Sequence, residues 1–310
     1  MSDLVVDVRD LTRRFGSFVA VDRVSFQIPR GAIFGFLGPN GAGKSTTIRM
    51  LLGILPVSEG EGHVLGFDIR TSSEEIRARV GYMSQRFSLY EDLTVLENLH
   101  FFGGVFGLSG ARLDQKVREL VEMTRLDGFE QQLAQGLPGG IRQRLALATS
   151  LLHDPEIVFL DEPTGAVDPA LRRYFWERIA ELSAAGRTVM VTSHYMDEVE
   201  RCHDICFIHH GRLMAQGSPG DLKSRHLPGQ MWQVRTSARA EVAAHLARVP
   251  GVAGAFPSGE TVRYLLEPGF DPAAPAAALR TSGLTCSAPE PAEPTLEDVF
   301  VALSRKRGTP

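Results

Sequence analysis

The sequence predicts an α/β protein whose core is a parallel β-sheet, and two observations lead to this fold class. Several short runs are apolar throughout instead of alternating, and each ends in polar or turn-forming residues. Strands of this composition are buried on both faces, as in a parallel sheet covered by helices. Helical patterns lie between the runs. The runs span residues 32–38, 156–162, 188–194 and 205–211, and the helical patterns include 46–55 and the face formed by Leu171, Phe175, Ile179 and Leu182.

Two regions of the chain depart from this alternation of strands and helices. Residues 86–150 are predicted to be mostly helical and to form a subdomain inserted into a sheet domain of residues 1–222. Turn formers dominate a linker region at 217–229, and residues 230–310 are richer in Ala, Pro and Val. The βαββαβ order predicted there suggests a small accessory α+β domain of the ferredoxin-like type. Its predicted strands are 231–236, 251–256, 261–266 and 284–288, and its predicted helices are 239–248, 272–281 and 295–304.

Composition limits the functions to consider. The 310 residues carry a net charge of −4 with a pI of about 6.2, so no basic excess indicates nucleic acid as a partner. Cys202, Cys206 and Cys286 are too few for a disulfide framework, and a reducing cytoplasm is the expected setting. We expect no signal peptide, because MSDLVVDVRD lacks a basic region followed by an apolar one, and no apolar run reaches about 18 residues. We therefore expect any work at a membrane to need a partner.

The stretch FLGPNGAGKSTTIRML at residues 36–51 has the pattern of a phosphate-binding loop. It matches G-x-x-x-x-G-K-S/T after an apolar strand and before a helix, which is the setting of the P-loop NTPase fold. Glycines allow a tight loop whose N–H groups turn inward on phosphates, the lysine neutralises the β- and γ-phosphates, and the serine ligates Mg²⁺. The alternative is a glycine-rich turn without a ligand. The loop residues predicted to bind ATP are Gly38, Pro39, Asn40, Gly41, Ala42, Gly43, Lys44, Ser45 and Thr46.

An acidic pair ends the apolar run in IVFLDEPTGAVD, residues 157–168. Asp161 is predicted to hold Mg²⁺ through water, and Glu162 to act as the catalytic base that polarises the attacking water. The alternative is a solvated acidic turn. Carboxylates directly after a buried strand, however, lie where a parallel sheet opens into its ligand crevice, which favours the catalytic interpretation.

The order of these motifs resembles the ATPase subunits of ABC transporters over about residues 4–220. The phosphate loop, the acidic strand end, LPGGIRQRL and TSH follow one another as in that family. The resemblance implies that Gln85 is the Q-loop glutamine, which touches Mg²⁺, and that His194 is a catalytic histidine near the γ-phosphate. It also implies that Asp168 belongs to the D-loop and that Phe15 stacks on adenine. Taken singly, a surface glutamine, a structural histidine and a core phenylalanine are the alternatives.

In this family the segment at 137–143 is the signature, which faces the ATP held by a second subunit in a head-to-tail dimer. Gly139 and Gly140 are therefore implied to let the backbone approach a γ-phosphate bound in trans. The usual L-S-G-G-Q is altered, because Pro138 replaces the serine and Ile141 stands in place of the glutamine. Proline offers neither a hydroxyl nor an N–H, so we expect weaker closure or slower turnover.

The resemblance further implies a peripheral protein at the cytoplasmic face of the cell membrane, docked on a separate membrane (permease) subunit and paired with a second ATPase subunit. The aromatic stretch 89–110 follows the Q-loop glutamine and is expected to supply the docking surface. Most of its large apolar residues are expected to be subdomain core, with a few exposed for docking; they include Leu93, Leu96, Phe101, Phe102 and Phe106.

Export is the expected direction of transport, because EPTLEDVFVAL at 293–303 resembles the ending of ATPase subunits of drug and polymer exporters. The alternatives are an importer ATPase with a C-terminal regulatory domain, a soluble ABC protein acting on ribosomes or DNA, and a binder that holds ATP without hydrolysing it. A single phosphate loop and a negative net charge disfavour the soluble protein, and the acidic pair disfavours the binder. The chain also contains a cluster of two cysteines and three histidines, Cys202, His203, Cys206, His209 and His210. We expect Cys206 to pack as a small apolar residue, and a metal site is the alternative.

Overall fold

The computed structural model describes residues 3–86, 88–165 and 167–306. The chain divides into two compact units, Met1–Ser218 and Pro219–Pro310. The division falls inside the stretch 217–229 that is predicted to be a linker. No helix among these described residues is both long and apolar enough to cross a bilayer.

The first unit contains ten strands and seven α-helices among its described residues. The strands are β1 (Leu4–Phe15), β2 (Phe18–Pro29), β3 (Ile33–Leu37), β4 (Glu59–Val64), β5 (Phe67–Asp68), β6 (Val80–Met83), β7 (Ile157–Asp161), β8 (Thr188–Ser193), β9 (Asp204–His209) and β10 (Arg212–Gly217). The helices are α1 (Lys44–Leu51), α2 (Ser73–Arg77), α3 (Val95–Val105), α4 (Gly110–Met123), α5 (Gly139–Ser150), α6 (Pro169–Ala184) and α7 (Met196–Val199), and a 3₁₀ turn spans Ala134–Gly136.

Six strands form the central sheet of this unit, in the order β10–β9–β3–β8–β7–β6. All neighbours are parallel except β10 and β9, which are antiparallel. Every residue of β3, β7 and β8 is buried, which confirms the parallel sheet predicted from continuous apolar runs. Because these three strands are parallel neighbours, their carboxyl ends meet at one edge, and the loops that follow them share that edge.

A second sheet, with the antiparallel order β2–β1–β4–β5, packs on the central one, and the sequence analysis does not predict it. Both sheets contribute to one apolar core, to which α1 adds Ile48 and Met50. Phe26 of β2 and Phe34 of β3 stack there with ring centroids 5.4 Å apart. The pairing of β1 with β2 shifts register several times, so these strands lack the strict period of two that a sequence pattern detects.

Between β6 and β7 the chain forms α3, α4 and α5, in the region predicted to be mostly helical. Thr94 begins α3 with a capping box. Its hydroxyl oxygen accepts a hydrogen bond from the Glu97 N–H at 3.2 Å, and the Glu97 carboxylate accepts one from the Thr94 N–H at 2.7 Å. Pro138 is the N-cap of α5, which begins at Gly139.

The second unit contains four strands and four helices among its described residues. The strands are β11 (Gln230–Arg235), β12 (Val252–Ser258), β13 (Thr261–Leu266) and β14 (Glu290–Pro291), and the helices are α8 (Pro219–His226), α9 (Arg239–Leu246), α10 (Ala273–Thr281) and α11 (Leu296–Lys306). The strands form an antiparallel sheet in the order β12–β13–β11–β14. One apolar cluster of this unit joins the sheet to α9 and α10.

One predicted strand of this unit is wrong. Residues 284–288 form no strand, and the edge strand β14 is only the pair Glu290–Pro291. Proline has no N–H for a sheet ladder, so Pro289 and Pro291 keep this edge short. The ferredoxin-like assignment therefore stays a prediction, although the observed order places β13 between β11 and β12.

Candidate ATP-binding site

The phosphate loop connects the end of β3 to the start of α1, and its backbone requires glycine at specific positions. A Cβ on Gly38 would lie 2.2 Å from the Ile208 carbonyl oxygen, and one on Gly43 would lie 2.6 Å from the Ala20 carbonyl oxygen. Gly43 is also the N-cap of α1, with φ at 106°. The loop thus packs against neighbouring backbone while the first N–H groups of α1 remain available to an anion.

Lys44 lies across the base of this loop, with only 3% of its side chain exposed. Its ammonium donates to the carbonyl oxygens of Gly38 at 2.7 Å and Pro39 at 3.1 Å, and it lies 3.0 Å from Glu162 Oε1. A buried ammonium needs such partners to offset its loss of hydration. The lysine is therefore held where the loop would receive phosphate, and it joins the loop to the carboxylate after β7.

Asp161 is fully buried and receives two hydroxyl donors on one oxygen. Ser45 Oγ donates to its Oδ1 at 3.0 Å, and Thr192 Oγ1 donates to the same atom at 2.8 Å. Its Oδ2 is buried without a hydrogen-bond partner among the described residues. Burial raises the pKa of this carboxyl, and the two hydroxyl donors oppose that rise. An orphaned carboxylate oxygen beside a serine hydroxyl is an oxygen donor set that fits Mg²⁺.

Glu162 brings three predicted residues together around one carboxylate. Its Oε1 faces Lys44, while its Oε2 accepts a hydrogen bond from Gln85 Nε2 at 3.1 Å and lies 3.4 Å from His194 Nδ1. Its backbone has φ at 51°, a left-handed conformation that is unfavourable for a residue with a Cβ. Its N–H donates to Thr192 Oγ1 at 2.9 Å, which helps to hold that conformation. Strain of this kind is typical of functional positions.

A cleft of about 330 Å³ opens beside these groups and has an aromatic mouth. Phe15 and Phe18 line it and are 47% and 63% exposed, so the core alternative for Phe15 is wrong. The guanidinium of Arg13 lies 4.5 Å from the centroid of the Phe15 ring. The cleft also contains Gln85 and Glu162, together with Ala20, Asn40, Gly41, Gly43, Lys44, Ser45 and Thr46. Adenine stacking by Phe15 remains a prediction, and it agrees with this position.

The predicted signature and D-loop residues lie at two helix starts. Gly139 is exposed, and a Cβ there would meet no atom within 4 Å, whereas a Cβ on Gly140 would lie 2.5 Å from Leu171 Cδ2. The packing against Leu171 therefore explains the absence of a side chain at Gly140. Asp168 is the N-cap of α6, since its Oδ1 accepts from the N–H groups of Ala170 and Leu171 at 2.9 and 3.0 Å. These donors lower the pKa of Asp168. Contacts in trans remain predictions.

Two cysteines of the cysteine and histidine cluster are packed inside the first unit. Cys202 and Cys206 are buried, and burial raises the pKa of both thiols. His203 Nδ1 accepts a hydrogen bond from the Ile33 N–H at 2.9 Å, which ties its ring to β3. In the part of the chain that the structure describes, no three His, Cys, Asp or Glu side chains are grouped to hold a metal ion.

Sequence reasoning missed several residues behind the site. Thr192 is the threonine of the motif TSH, is fully buried and hydrogen-bonds to both members of the acidic pair. Glu198, Arg172 and Tyr195 form a second layer behind His194. Glu198 is buried beside Ser193 and Arg172, and the rings of His194 and Tyr195 are 4.1 Å apart. Only Thr192 had a sequence signal, because a hydroxyl at the end of a buried strand is unusual.

Comparison with known proteins points to the same family as the motifs. The family model described as ABC transporter matches residues 21–165. The chain is 49% identical over 223 residues to the probable multidrug ABC transporter ATP-binding protein YbhF of Escherichia coli (strain K12), covering 72% of this chain and 39% of that protein. It thus spans well under half the length of YbhF. It is 42% identical over 219 residues to the Nod factor export ATP-binding protein I of Ralstonia nicotianae, covering 70% of this chain and 68% of that protein.

Solved structures agree with these relatives. An ATP-binding subunit of an ABC transporter superposes with a TM-score of 0.66 at 27% identity, covering 71% of this chain and 92% of the other. A dimeric post-hydrolysis state of the ATP-binding cassette MJ0796, bound to ADP and Pi, superposes with a TM-score of 0.64 at 25% identity, covering 69% and 98%. The motif order, the interlocked site and these matches agree, and the chain belongs to the family of ABC transporter ATP-binding proteins.

Proposed function

We propose that this chain binds and hydrolyses Mg-ATP as the ATPase subunit of an exporter, and that hydrolysis drives a separate membrane subunit. One observation carries the proposal: the Glu162 carboxylate contacts the lysine of the phosphate loop, Gln85 and His194 at the carboxyl edge of the sheet. These contacts with three separate segments place the carboxylate beside the phosphate loop, within reach of a water that attacks the γ-phosphate.

The residues of this edge have distinct roles in the proposed reaction. Glu162 accepts a proton from the attacking water, and His194 keeps its carboxylate aimed at the end of the phosphate loop, while Gln85 contacts that carboxylate only before nucleotide binds. In the structure Lys44 is paired with Glu162. A triphosphate in the loop offers Lys44 a more highly charged partner, so nucleotide binding would weaken this pair and leave Glu162 free to act as the base.

Ser45 and Asp161 are the residues that would hold the magnesium of Mg-ATP. Their support is the orphaned Asp161 Oδ2 and the Ser45 hydroxyl beside it. The ion supplies positive charge to the β- and γ-phosphates. Gln85 hydrogen-bonds to Glu162 in the structure, so its predicted contact with the ion requires its amide to turn away from that carboxylate.

We further propose that two ATPase subunits, either two copies of this chain or this chain and a related one, pair head to tail around ATP. The exposed Gly139 at the start of α5 supports this, because a helix start without side chains is accessible to phosphate. Pro138 occupies the N-cap position of this helix and makes no side-chain capping hydrogen bond. The dimeric state of MJ0796 bound to ADP and Pi belongs to that protein, and it is the geometry that we propose here by analogy.

An apolar groove of about 360 Å³ on the first unit supports docking on a membrane subunit. Of the five large residues that were expected to be mostly core, none is fully buried. One is exposed and four are half-buried, in the order Phe101, then Leu93, Leu96, Phe102 and Phe106. Val105 is 65% exposed, and Phe101 forms edge contacts with Tyr90 and Phe102. The groove is lined by Ile54, Tyr82, Met83, Phe102, Val105 and Phe106, among others. Such a patch on a surface is typical of an interaction site.

Docking there would place the chain at the cytoplasmic face of the membrane. Export is the direction favoured by the names of the relatives, a multidrug transporter protein and a Nod factor export protein. An importer subunit is the second candidate, and the protein that co-purifies from detergent-solubilised membranes distinguishes the two. The small second unit is proposed to be an accessory domain.

The test is Glu162→Gln, compared with Glu177→Gln on the exposed face of α6 as a matched control. Glu162→Gln should bind ATP, lose turnover and accumulate an ATP-bound dimer on size-exclusion chromatography, whereas the control should resemble the wild type. Normal hydrolysis by Glu162→Gln would show that the base is assigned wrongly. Unchanged ATP affinity in Lys44→Ala would show that the nucleotide site itself is wrong.

A further inference from the structure

We infer that Glu198 and Arg172 are a positioning pair that holds His194 against Glu162 and so aligns the catalytic base. The inference deepens the proposed hydrolysis and rests on it. Neither residue touches the nucleotide cleft, and neither belongs to the motifs that the sequence analysis assigns. Their effect on the reaction would pass through the loop that carries His194.

Glu198 is a buried carboxylate with only 1% of its side chain exposed. Its Oε2 accepts a hydrogen bond from Ser193 Oγ at 2.7 Å, and its Oε1 lies 3.1 Å from Arg172 Nε. A charge at this depth is tolerated only when it is paired and hydrogen-bonded, and it adds little net stability compared with an apolar residue. The Arg172 side chain is 26% exposed, so the ion pair is only partly buried, and we attribute its place beside the loop of His194 to the geometry that it specifies.

Ser193 transmits the position of Glu198 to the backbone around His194. Its Oγ accepts a hydrogen bond from the Tyr195 N–H at 2.9 Å, which fixes the turn of the chain on either side of the histidine. Its carbonyl oxygen accepts one from the Gly38 N–H at 3.3 Å. The hydroxyl that Glu198 holds therefore belongs to a residue that also anchors the phosphate loop.

Arg172 contacts the same loop through the aromatic ring of Tyr195. Its guanidinium lies 4.2 Å from the centroid of the Tyr195 ring, and the Tyr195 ring lies 4.1 Å from that of His194. The histidine is thus supported by a ring that is itself supported by a cation. Arg172 lies in the first turn of α6, four residues after its N-cap Asp168, and Glu198 lies in α7, so the pair links the helices that follow β7 and β8.

The contact between His194 and Glu162 is sensitive to small displacements. His194 Nδ1 lies 3.4 Å from Glu162 Oε2, which is already longer than an ordinary hydrogen bond. A displacement of about 1 Å at such a contact lowers turnover by up to about a hundredfold. We therefore expect Glu198→Gln and Arg172→Lys to lower kcat for ATP by at least about tenfold and to leave KM unchanged. Arg173→Lys, at the exposed neighbouring position on α6, should match the wild type.

A double-mutant comparison separates positioning from a general structural role. In a His194→Ala background, Glu198→Gln should lower single-turnover hydrolysis no further, because the group through which it acts is already gone. The ring signal of His194, assigned among the nine histidines by its loss in His194→Ala, should shift in Glu198→Gln and in Arg172→Lys. These readouts do not depend on total stability, and Arg172→Lys keeps a cation beside Glu198 if Glu198→Gln folds poorly.

Several results would overturn the inference. They are a wild-type kcat in both variants, a further fall of equal size in the His194→Ala background, or an unmoved His194 signal. A wild-type chain that hydrolyses no ATP would instead overturn the proposed function, and the inference would fall with it. Wild-type turnover that depends on His194 but not on Glu198 or Arg172 would leave the proposed function standing and remove only the positioning pair.

Discussion

Thr192→Val tests the hydroxyl that holds the acidic pair together. Thr192 is fully buried, its Oγ1 donates to Asp161 Oδ1 at 2.8 Å, and it accepts from the Glu162 N–H at 2.9 Å. Valine has nearly the same shape but can make neither hydrogen bond. Loss of a hydrogen bond to a charged group costs about 1.5–3 kcal/mol, and a buried N–H left unsatisfied costs about 1–3 kcal/mol. Because neighbouring contributions add imperfectly, we expect the free energy of unfolding to fall by about 3–5 kcal/mol.

Thr188→Val is the matched control, since Thr188 is also fully buried and starts the same strand, β8. Among the described residues, its Oγ1 has one hydrogen bond, which it accepts from the Gly31 N–H at 3.0 Å. We expect about half the loss of stability, and turnover of ATP should be retained because Thr188 lies at the other end of the strand. In Thr192→Val, turnover should fall as well, since the left-handed backbone of Glu162 loses a support.

The assay follows Trp176 fluorescence during urea unfolding in a Trp232→Phe background, so that the signal comes from the first unit. With a slope of about 2 kcal/mol/M, the expected loss moves the Thr192→Val midpoint by about 1.5–2.5 M. Equal midpoints for the Thr192→Val and Thr188→Val variants, or wild-type turnover in Thr192→Val, would refute the reasoning.

Three further predictions follow from individual positions. Burial raises the folded pKa of Asp161 above its unfolded value, so its carboxylate opposes folding at neutral pH, and this cost disappears as the pH falls through the folded pKa. Asp161→Asn should therefore raise Tm at pH 7 and remove Mg-dependent turnover. A lowered Tm would contradict this. Pro138→Ser should raise ATPase activity, and should add about 1 kcal/mol by capping α5, so a slower enzyme would count against our view of the signature. Gly38→Ala should abolish binding of a fluorescent ATP analogue, because its Cβ would lie 2.2 Å from the Ile208 carbonyl oxygen. In Gly41→Ala the Cβ would lie in open space, so the strain of φ 78° should lower the free energy of unfolding by only about 1–2 kcal/mol. Equal binding by both variants would contradict the packing argument.

Sequence by itself determined the parts of this protein that depend on local patterns. The phosphate loop, the acidic pair and the buried strands that carry them were predicted because strand, turn and helix signals lie within a few residues of each other. The parallel sheet followed from continuous apolar runs, and the shared edge of the sheet followed from the parallel sheet. The strand at 284–288 failed because prolines beyond it limit pairing at an edge, which depends on the neighbouring strand.

Only the tertiary structure decided which side chains meet. Ser45 and Asp161 are 116 residues apart in the chain, and Gln85 and Glu162 are 77 apart, yet both pairs are within hydrogen-bond distance. The pair of Glu198 and Arg172 likewise has no local signal, because a glutamate in a short helix is exposed in most sequences. Burial, the orphaned oxygen of Asp161 and the strained backbone of Glu162 arise from packing between distant segments, and no local pattern encodes a contact of that kind.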